Sequence, residues 1–228
     1  MTIKYYHDLI QGTDEWLESR LGIVTASVAK QLITPTFKIS KGDKIKALAY
    51  ELAAQRITGR IADNFMSWDM ERGHIEEGLA LDAYAKKNPV PVACGFITND
   101  ELGFVVGASP DGLIPNAGCE VKSRQSKFQV MTIIENKVPA EYMVQIQLSM
   151  WVSGRAYWDF IQFSNGMPLF VERVYPMPSI MDPLIEALID FEATVVELVA
   201  TYHKNAEGLT QTVWVDHHEQ ENITVSGE

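Results

Sequence analysis

Two acids and one lysine lie in the segment 107–122, where residue types alternate as they do on a strand. Glu120 and Lys122 are two residues apart, so their side chains project from the same face of a strand. Asp111 precedes them in a Ser-Pro-Asp-Gly corner. This spacing predicts a small patch of two carboxylates and one ammonium group at the end of a hairpin.

A turn over residues 115–118 would close this hairpin, because Pro, Asn and Gly favour turns. The register that follows places Ile114 opposite Cys119 and Asp111 opposite Lys122. All three charged side chains would then share one face, while Cys119 and Val121 project from the other, apolar face.

Oxygen-rich patches of this kind suit hard divalent cations such as Mg²⁺, which take one or two protein carboxylates together with carbonyl and water oxygens. Asp111, Glu120 and the main-chain carbonyl of Val121 are candidate ligands. Two ions about 4 Å apart could activate a water molecule and stabilise the leaving oxygen of a phosphodiester displacement. Lys122 would orient the water or help to deprotonate it. The short pattern also occurs as ordinary surface charge, so a structural interpretation stays open at this point.

Two predicted helices position further polar side chains. On a helix over 69–88, Glu77 falls on the same stripe as Leu81 and Tyr84, whereas Glu76 lies off it. An inward carboxylate is costly unless it is paired or binds a metal, so Glu77 is a further candidate ligand. On a helix that starts at Pro139, Gln145 lies on a polar stripe that can reach the site, and Gln147 lies nearly opposite.

Groups that suit a phosphate occur near the N-terminus. A short helix is predicted from Thr13 to about Gly22, and a second helix from Thr25. The N–H groups at the start of that helix, the hydroxyls of Thr25 and Ser27 and the guanidinium of Arg20 would bind a phosphate. Helix capping explains the same residues, so the two interpretations coexist.

Composition bounds the class of protein. The 228 residues are 46% hydrophobic, and two distant cysteines argue against a zinc ribbon, an iron–sulfur cluster or a disulfide framework. A signal core and an apolar run of about 18 residues are both absent from the sequence, which favours a soluble protein of a reducing cytoplasm.

The net charge of −11 is unevenly distributed. Residues 20–60 carry eight basic and two acidic residues, whereas residues 182–228 carry one basic and ten acidic residues. A basic region in an acidic protein is compatible with a defined channel for a polyanion, and equally with solvated helix faces.

Five segments in one order give the chain a specific resemblance. It resembles the phage λ exonuclease family, the YqaJ-like alkaline exonucleases of viral recombination within the PD-(D/E)XK nuclease superfamily. The matching segments are QGTDEWLESRLGIVTAS (11–27), GHIEE (73–77), SPDGL (109–113), EVK (120–122) and YMVQIQLSMWV (142–152).

This resemblance implies an α/β, single-domain restriction-endonuclease-like fold with a central mixed β-sheet flanked by helices. We expect the domain over 1–210 and a flexible tail over 211–228, in which the role of His217 and His218 stays open. The resemblance also implies Mg²⁺-dependent digestion of one strand of duplex DNA from its 5′ end, with Mn²⁺ as a substitute, to leave 3′ overhangs. A homotrimeric ring and a single-strand annealing recombinase are the implied partners, in the cytoplasm of a bacterial host of a phage or prophage.

The same resemblance assigns roles to individual residues. The implied metal ligands are Glu77, Asp111 and Glu120, with Lys122 as the catalytic lysine and Gln145 beside it. The implied pocket for the 5′-phosphate comprises Arg20, Ser27 and Ser109, to which proximity adds Thr25. Lys38, Lys41 and Lys44, in a basic loop, are candidate DNA contacts.

Two other functions share parts of this pattern. A restriction-type endonuclease would use the same acids and lysine but would cut closed circular DNA. A non-catalytic adaptor that binds DNA ends would have no need for a carboxylate cluster that repels phosphate. The iron–sulfur nucleases of the superfamily are disfavoured, because two cysteines cannot complete a four-cysteine cluster.

Overall fold

The computed structural model describes residues 2–34, 36–61 and 68–214, with only the backbone described at 68–74. His217 and His218 lie outside the described residues, and the expected boundary at 210 stays a prediction. Among the described helices, none combines the length and apolar character needed to cross a membrane.

The chain contains both helices and strands in a mixed order, which confirms the α/β class. The six helices of the described residues are α1 (Asp14–Ser19), α2 (Asp43–Thr58), α3 (Trp68–Ala85), α4 (Ser126–Glu135), α5 (Ala140–Ser153) and α6 (Pro178–Ala206). The strands are β1 (Ile3–Tyr6), β2 (Val24–Thr25), β3 (Phe96–Asn99), β4 (Val106–Ala108), β5 (Gly112–Ile114), β6 (Ala117–Ser123), β7 (Tyr157–Phe163) and β8 (Phe170–Val174).

The strands form two four-stranded mixed sheets. One has the order β1-β3-β4-β2 and the other β5-β6-β7-β8, with the parallel pairs β2–β4 and β6–β7. The chain passes from the first sheet to the second at Ser109–Asp111, between β4 and β5. Pro110 has no N–H to donate to a ladder, so pairing is interrupted there.

Helices cover both sheets. The main core contains the buried face of α5 and of the long helix α6, which presents Leu184, Leu188 and Val195 inward. A smaller cluster packs α3 on the second sheet through Ala80 and Tyr84. The helices therefore enclose both sheets around the corner at Ser109–Asp111.

The predicted second helix from Thr25 is wrong. Val24–Thr25 form strand β2, and Ala29–Gln31 make only a single 3₁₀ turn. Thr25 pairs with Gly107 of β4 in a parallel register, and the Ala26 N–H donates to the Gly107 carbonyl at 2.9 Å. Strand pairing across the sheet, which no local pattern reveals, overrides the capping signal.

The predicted hairpin exists, but its register is wrong. Ile114 pairs with Ala117 and Gly112 with Cys119, so the turn is the pair Pro115-Asn116. Asn116 adopts φ 60°, a conformation that Asn tolerates better than most residues, and this permits the tighter turn. Continuing the register brings Asp111 opposite Glu120 and not opposite Lys122.

Helix boundaries differ by a few residues from those expected. α3 ends at Ala85, before the predicted Asn88, whose side-chain amide donates to the Tyr84 carbonyl at 3.0 Å and helps to close the helix. α6 begins at Pro178, since proline suits the first turn of a helix. Residues 126–135 form α4, and β7 pairs with β8 as an antiparallel hairpin.

Candidate active site

Asp111 is fixed by the strand that follows it in the hairpin. Its N–H donates to the Cys119 carbonyl at 3.2 Å, and its Oδ2 accepts a hydrogen bond from the Val121 N–H at 2.6 Å. The corner at Pro110 thus places the Asp111 carboxylate against the edge of β6.

The Val121 carbonyl shares this edge. The N–H and C=O of one strand residue point to the same side, and the Val121 N–H points toward Asp111. Strand β5 begins only at Gly112 and does not cover this position. The Val121 carbonyl oxygen is therefore directed to the side where Asp111 lies, as a shared metal site requires.

Glu120 is the buried centre of the site, with 2% of its surface exposed. Its Oε1 accepts from the Lys122 ammonium at 2.6 Å and from the Gln145 amide at 2.6 Å. Its Oε2 is buried and has no hydrogen-bond partner in the described part of the chain. The structure thus brings Gln145 to the site, whereas Gln147 bonds to the backbone of Tyr175 and Met177.

The site carries an excess of negative charge. Burial, followed by the charges of Glu120 and Glu77, raises the pKa of Asp111 well above its usual range. Burial alone would lower the pKa of Lys122, but Glu120 and Asp111 outweigh it and raise that pKa, which keeps the ammonium protonated. Lys122 alone does not balance the carboxylates.

The donor set fits a hard divalent cation. It offers an unpaired buried oxygen of Glu120, the Asp111 carboxylate and the Val121 carbonyl, and Mg²⁺ needs no more than one or two protein carboxylates. Among the described residues, no three His, Cys, Asp or Glu side chains converge into a metal-binding group on their own. Glu77 lies near enough to affect Asp111 electrostatically, from helix α3.

A second charged region surrounds Arg20, directly after α1. The Arg20 guanidinium donates to Ser109 Oγ at 2.9 Å and reaches the hydroxyls of Thr25 and Ser27 at 3.4 Å each. The Thr25 and Ser27 hydroxyls are 3.1 Å apart. All four predicted phosphate-binding residues therefore lie together, which we call the Arg20 pocket.

The pairing of β2 with β4 forms this pocket. The helix N-terminus that the sequence predicted at Thr25 does not contribute to it. The parallel register sets Thr25 beside Gly107, two residues before Ser109. A Cβ at Gly107 would lie 2.3 Å from the Phe96 ring, so only glycine permits this packing. The pocket is thus held by the same strand that leads to Asp111.

Arg20 is a partly buried cation, and burial lowers its pKa to about 10. No carboxylate pairs with it among the residues that the structure describes, where its partners are hydroxyls and an aromatic ring. Such a group is stabilised by an anionic ligand. The Arg20 pocket therefore has the charge and the donors to bind a phosphate.

Trp16 is a part of the pocket that sequence reasoning missed. Its ring lies under the Arg20 guanidinium at 4.0 Å, and its Nε1 donates to Ser109 Oγ at 3.1 Å and to the Gly95 carbonyl at 2.9 Å. The spacing of four residues between Trp16 and Arg20 puts them on one side of α1, and this signal could have found the contact.

Lys38, Lys41 and Lys44 are exposed in and after the loop that precedes α2. In the described residues, no hydrogen bond or ion pair connects their ammonium groups to the carboxylates or to the Arg20 pocket. Their assignment to DNA stays a prediction.

The YqaJ-like viral recombinase domain matches residues 15–156, more than half of the chain. The chain belongs to this family. The matched segment contains every residue of the Arg20 pocket and of the carboxylate site. The resemblance to the phage λ exonuclease family is thereby confirmed.

Solved structures agree on the fold. An alkaline exonuclease, LHK-Exo, from Laribacter hongkongensis is 26% identical and has a TM-score of 0.77, over 87% of this chain and 100% of that chain. The structure of LHK-Exo in complex with dAMP has a TM-score of 0.73 at the same identity and coverage. A phage-related exonuclease from Haemophilus somnus 129PT is 12% identical, with a TM-score of 0.60 over 78% of this chain and 96% of that one, and supports the fold alone. No curated protein sequence matches the chain.

Proposed function

We propose that this viral recombinase-type nuclease is a Mg²⁺-dependent exonuclease that digests one strand of duplex DNA from its 5′ end. The observation that carries this proposal is the arrangement of the two charged regions. Ser109 lies in the Arg20 pocket and Asp111 in the carboxylate site, with only Pro110 between them. Two residues of chain span at most about 7 Å.

This arrangement couples recognition of an end to cleavage beside it. A terminal 5′-phosphate bound by Arg20, Ser27, Thr25 and Ser109 would bring the next phosphodiester of the same strand toward Asp111 and Glu120. Hydrolysis there releases a 5′-mononucleotide. The remaining strand then carries a new 5′-phosphate that can occupy the pocket.

The candidate ligands for Mg²⁺ are the carboxylates of Asp111 and Glu120, the Val121 carbonyl and Glu77. When bound, Mg²⁺ would supply Lewis-acid stabilisation of the phosphate charge and activation of the attacking water. Mn²⁺, which shares this preference for oxygen ligands, is the expected substitute.

The other residues act on charge and position. Lys122, held by Glu120 at 2.6 Å and kept protonated, offsets negative charge that develops on the phosphate. Gln145 fixes the Glu120 carboxylate by donating to Oε1 at 2.6 Å. During displacement the water oxygen bonds to phosphorus and gives up a proton to solvent, the bond from phosphorus to the 3′ oxygen breaks, and that oxygen takes a proton from solvent to leave as a hydroxyl.

Products of this reaction are 3′ overhangs, which suit single-strand annealing. We therefore include an annealing recombinase as the functional partner and the cytoplasm of a bacterial host as the location. A homotrimeric ring, implied by the family resemblance, belongs to the same proposal. Light scattering tests the ring, because a trimer has three times the 25.6 kDa mass of the chain.

Strand-resolved digestion tests the activity. We expect a linear duplex with 5′-phosphates to lose mononucleotides from its 5′ ends in Mg²⁺, and to stay intact in EDTA. Cutting of covalently closed circles would instead show an endonuclease. Binding of duplex ends with no hydrolysis in Mg²⁺ or Mn²⁺ would show an adaptor.

Substitution of Arg20 tests the pocket separately. Charged hydrogen bonds contribute about 1.5–3 kcal/mol, so we expect Arg20→Gln to reduce kcat/KM on 5′-phosphorylated ends by roughly 10- to 100-fold. The rate on 5′-hydroxyl ends should change little. Equal losses on both kinds of end would remove the phosphate assignment and leave the hydrolysis untouched.

A further inference from the structure

Asp159 is a buried carboxylate that the proposed chemistry does not use. It lies on β7, beside Cys119 of β6 in the parallel register, and has 1% of its surface exposed. A carboxylate in this position is unfavourable unless charged and polar partners surround it. The partners of Asp159 therefore indicate its structural role.

Two elements outside β7 bond to Asp159. Arg173 of β8 donates to both carboxylate oxygens, at 2.9 and 3.0 Å. The hydroxyl of Tyr84, on α3, donates to Oδ2 at 2.6 Å. Asp159 thus ties α3 to the sheet that carries Glu120.

Helix α3 makes a second directional contact with the same sheet, where the Ser123 hydroxyl of β6 donates to Glu76. Within 75–85, Ala80 and Tyr84 are the buried side chains of the apolar cluster, whereas Ile75 and Leu79 are exposed. Apolar contacts lack direction, so the two hydrogen bonds, at Glu76 and at Tyr84, fix how this helix lies on the sheet. The Tyr84 hydroxyl supplies a directional bond.

Glu77 lies on the same helix, seven residues before Tyr84. Seven residues are about two turns, or roughly 10 Å of helix, and place both side chains on one side. The hydrogen bond that holds Tyr84 on the sheet therefore also sets the position of the Glu77 side chain along the helix. If the helix shifts, Glu77 moves outward, because Asp111 and Glu120 carry the same charge as Glu77 and repel it.

We propose that Tyr84, anchored by Asp159 and Arg173, is a positioning residue that keeps Glu77 near Asp111 for binding of a divalent cation. This inference rests on the proposed function, because it takes Glu77 as a Mg²⁺ ligand. It adds three residues that lie behind the site, two of which, Asp159 and Arg173, fall beyond the matched segment 15–156.

Mg²⁺ binding to the full chain, measured by calorimetry without DNA, tests this role. Partners that orient metal ligands typically change affinity by 10- to 100-fold, so we expect Tyr84→Phe to weaken Mg²⁺ binding about tenfold. Tyr5→Phe is the matched control. Tyr5 lies on β1 of the other sheet, and its hydroxyl donates to the Ser153 carbonyl of α5 at 2.5 Å. Removing this hydroxyl should leave Mg²⁺ affinity unchanged.

A double substitution separates positioning from a general loss of stability. In the Glu77→Gln background, Tyr84→Phe should have no further effect on Mg²⁺ affinity, because the carboxylate that it positions is gone. Unchanged affinity in Tyr84→Phe alone, or an equal loss in both backgrounds, would overturn the inference.

Thermal unfolding confirms that each variant is folded. If Tyr84→Phe does not fold, Arg173→Gln replaces it, since Arg173 is half-exposed and releases Asp159 from one side only. We then expect a smaller loss of Mg²⁺ affinity, again absent with Glu77→Gln. A wild-type protein that binds no Mg²⁺ would overturn both proposals, whereas Mg²⁺ binding without hydrolysis of DNA would overturn the proposed function alone.

Discussion

The Arg20 pocket and the carboxylate site are two charged regions whose charges are unbalanced in opposite directions. Arg20 is a cation whose described partners are hydroxyls and the Trp16 ring. Asp111 and Glu120 are acids accompanied by one lysine, Lys122, and within the described residues one buried oxygen of Glu120 has no hydrogen-bond partner. One region therefore lacks an anion and the other lacks a cation.

This difference would allow one corner to bind a polyanion and a metal together. A phosphate in the Arg20 pocket and Mg²⁺ at Asp111 would each remove an uncompensated charge, and they also attract one another. Either ligand alone would leave the charge of the other region uncompensated. Substitutions that remove a positive charge should therefore differ in how much stability they cost in the two regions.

The largest effect is expected from Asp111→Asn. The asparagine can still accept from the Val121 N–H, so the backbone is kept, but a charged metal ligand is lost. Losing several kcal/mol of transition-state stabilisation corresponds to a fall of about a thousandfold or more in kcat. Release of labelled nucleotides in Mg²⁺ measures this, and near-normal turnover would exclude Asp111 from the chemistry.

Stability provides the sharpest contrast between the two regions. Lys122→Met leaves Glu120 buried without its ion pair, and breaking a buried pair lowers the free energy of unfolding by about 3–5 kcal/mol. Arg20→Met leaves no described carboxylate unpaired, so we expect a much smaller loss. Urea unfolding of both variants in EDTA gives the comparison.

The double variant Glu120→Gln with Lys122→Met is the control for that contrast. It removes both members of the pair and should recover most of the stability lost in Lys122→Met. If Arg20→Met is as destabilised as Lys122→Met, the Arg20 pocket is a structural cluster and the comparison between the regions fails.

A smaller effect is expected from Trp16→Phe. The ring under Arg20 is retained, but the Nε1–H that donates to Ser109 and to the Gly95 carbonyl is lost. A neutral hydrogen bond contributes about 0.5–1.5 kcal/mol, so KM for 5′-phosphorylated ends should rise roughly threefold to tenfold with little change in kcat. Trp214→Phe, at an exposed position, should leave both constants unchanged.

Sequence patterns predicted the chemical groups of both regions because these depend on residue type and short spacing. Alternation on β6 placed Glu120 and Lys122 on one face, and the structure joins them at 2.6 Å. Helical periodicity distinguished Gln145 from Gln147 correctly. The family resemblance supplied Ser109, which no local pattern connects to Arg20.

What the sequence did not reveal depends on pairing between distant segments. The residues around Thr25 read locally as a helix start, yet parallel pairing with β4 makes them a strand. The hairpin register shifted because Asn116 accepts a left-handed conformation. The contact of Tyr84 with Asp159 spans 75 residues and follows from no motif.

The two cysteines lie next to the two regions and can report on each separately. Their reaction with a thiol reagent is the smallest effect that we expect. Cys94 immediately precedes Gly95, which bonds to Trp16, and Cys119 immediately precedes Glu120; both thiols are free and buried. We expect neither to react with a thiol reagent at pH 8 in the native protein, and both to react in urea. Single Cys94→Ala and Cys119→Ala variants assign the signals.

At urea concentrations below the unfolding transition, ligands should slow these reactions selectively, because binding to the native state lowers the population of open forms. A 5′-phosphorylated oligonucleotide should protect Cys94 more than Cys119, and Mg²⁺ should protect Cys119 more than Cys94. Equal protection by either ligand would show that the two regions open as one unit.

Alkaline pH gives an independent check on Cys94. Burial raises the pKa of its thiol, so the unfolded chain releases this proton at a lower pH than the folded one. The stability that the protonated thiol contributes is therefore present below the ordinary thiol pKa of about 8.5 and is lost as the pH rises toward the raised value. The Cys94→Ala variant should lose less stability than the wild type between about pH 8 and pH 10. Thermal unfolding across this range measures the difference in stability. Parallel curves for the variant and the wild type would indicate that Cys94 ionises as readily in the folded protein as in the unfolded chain.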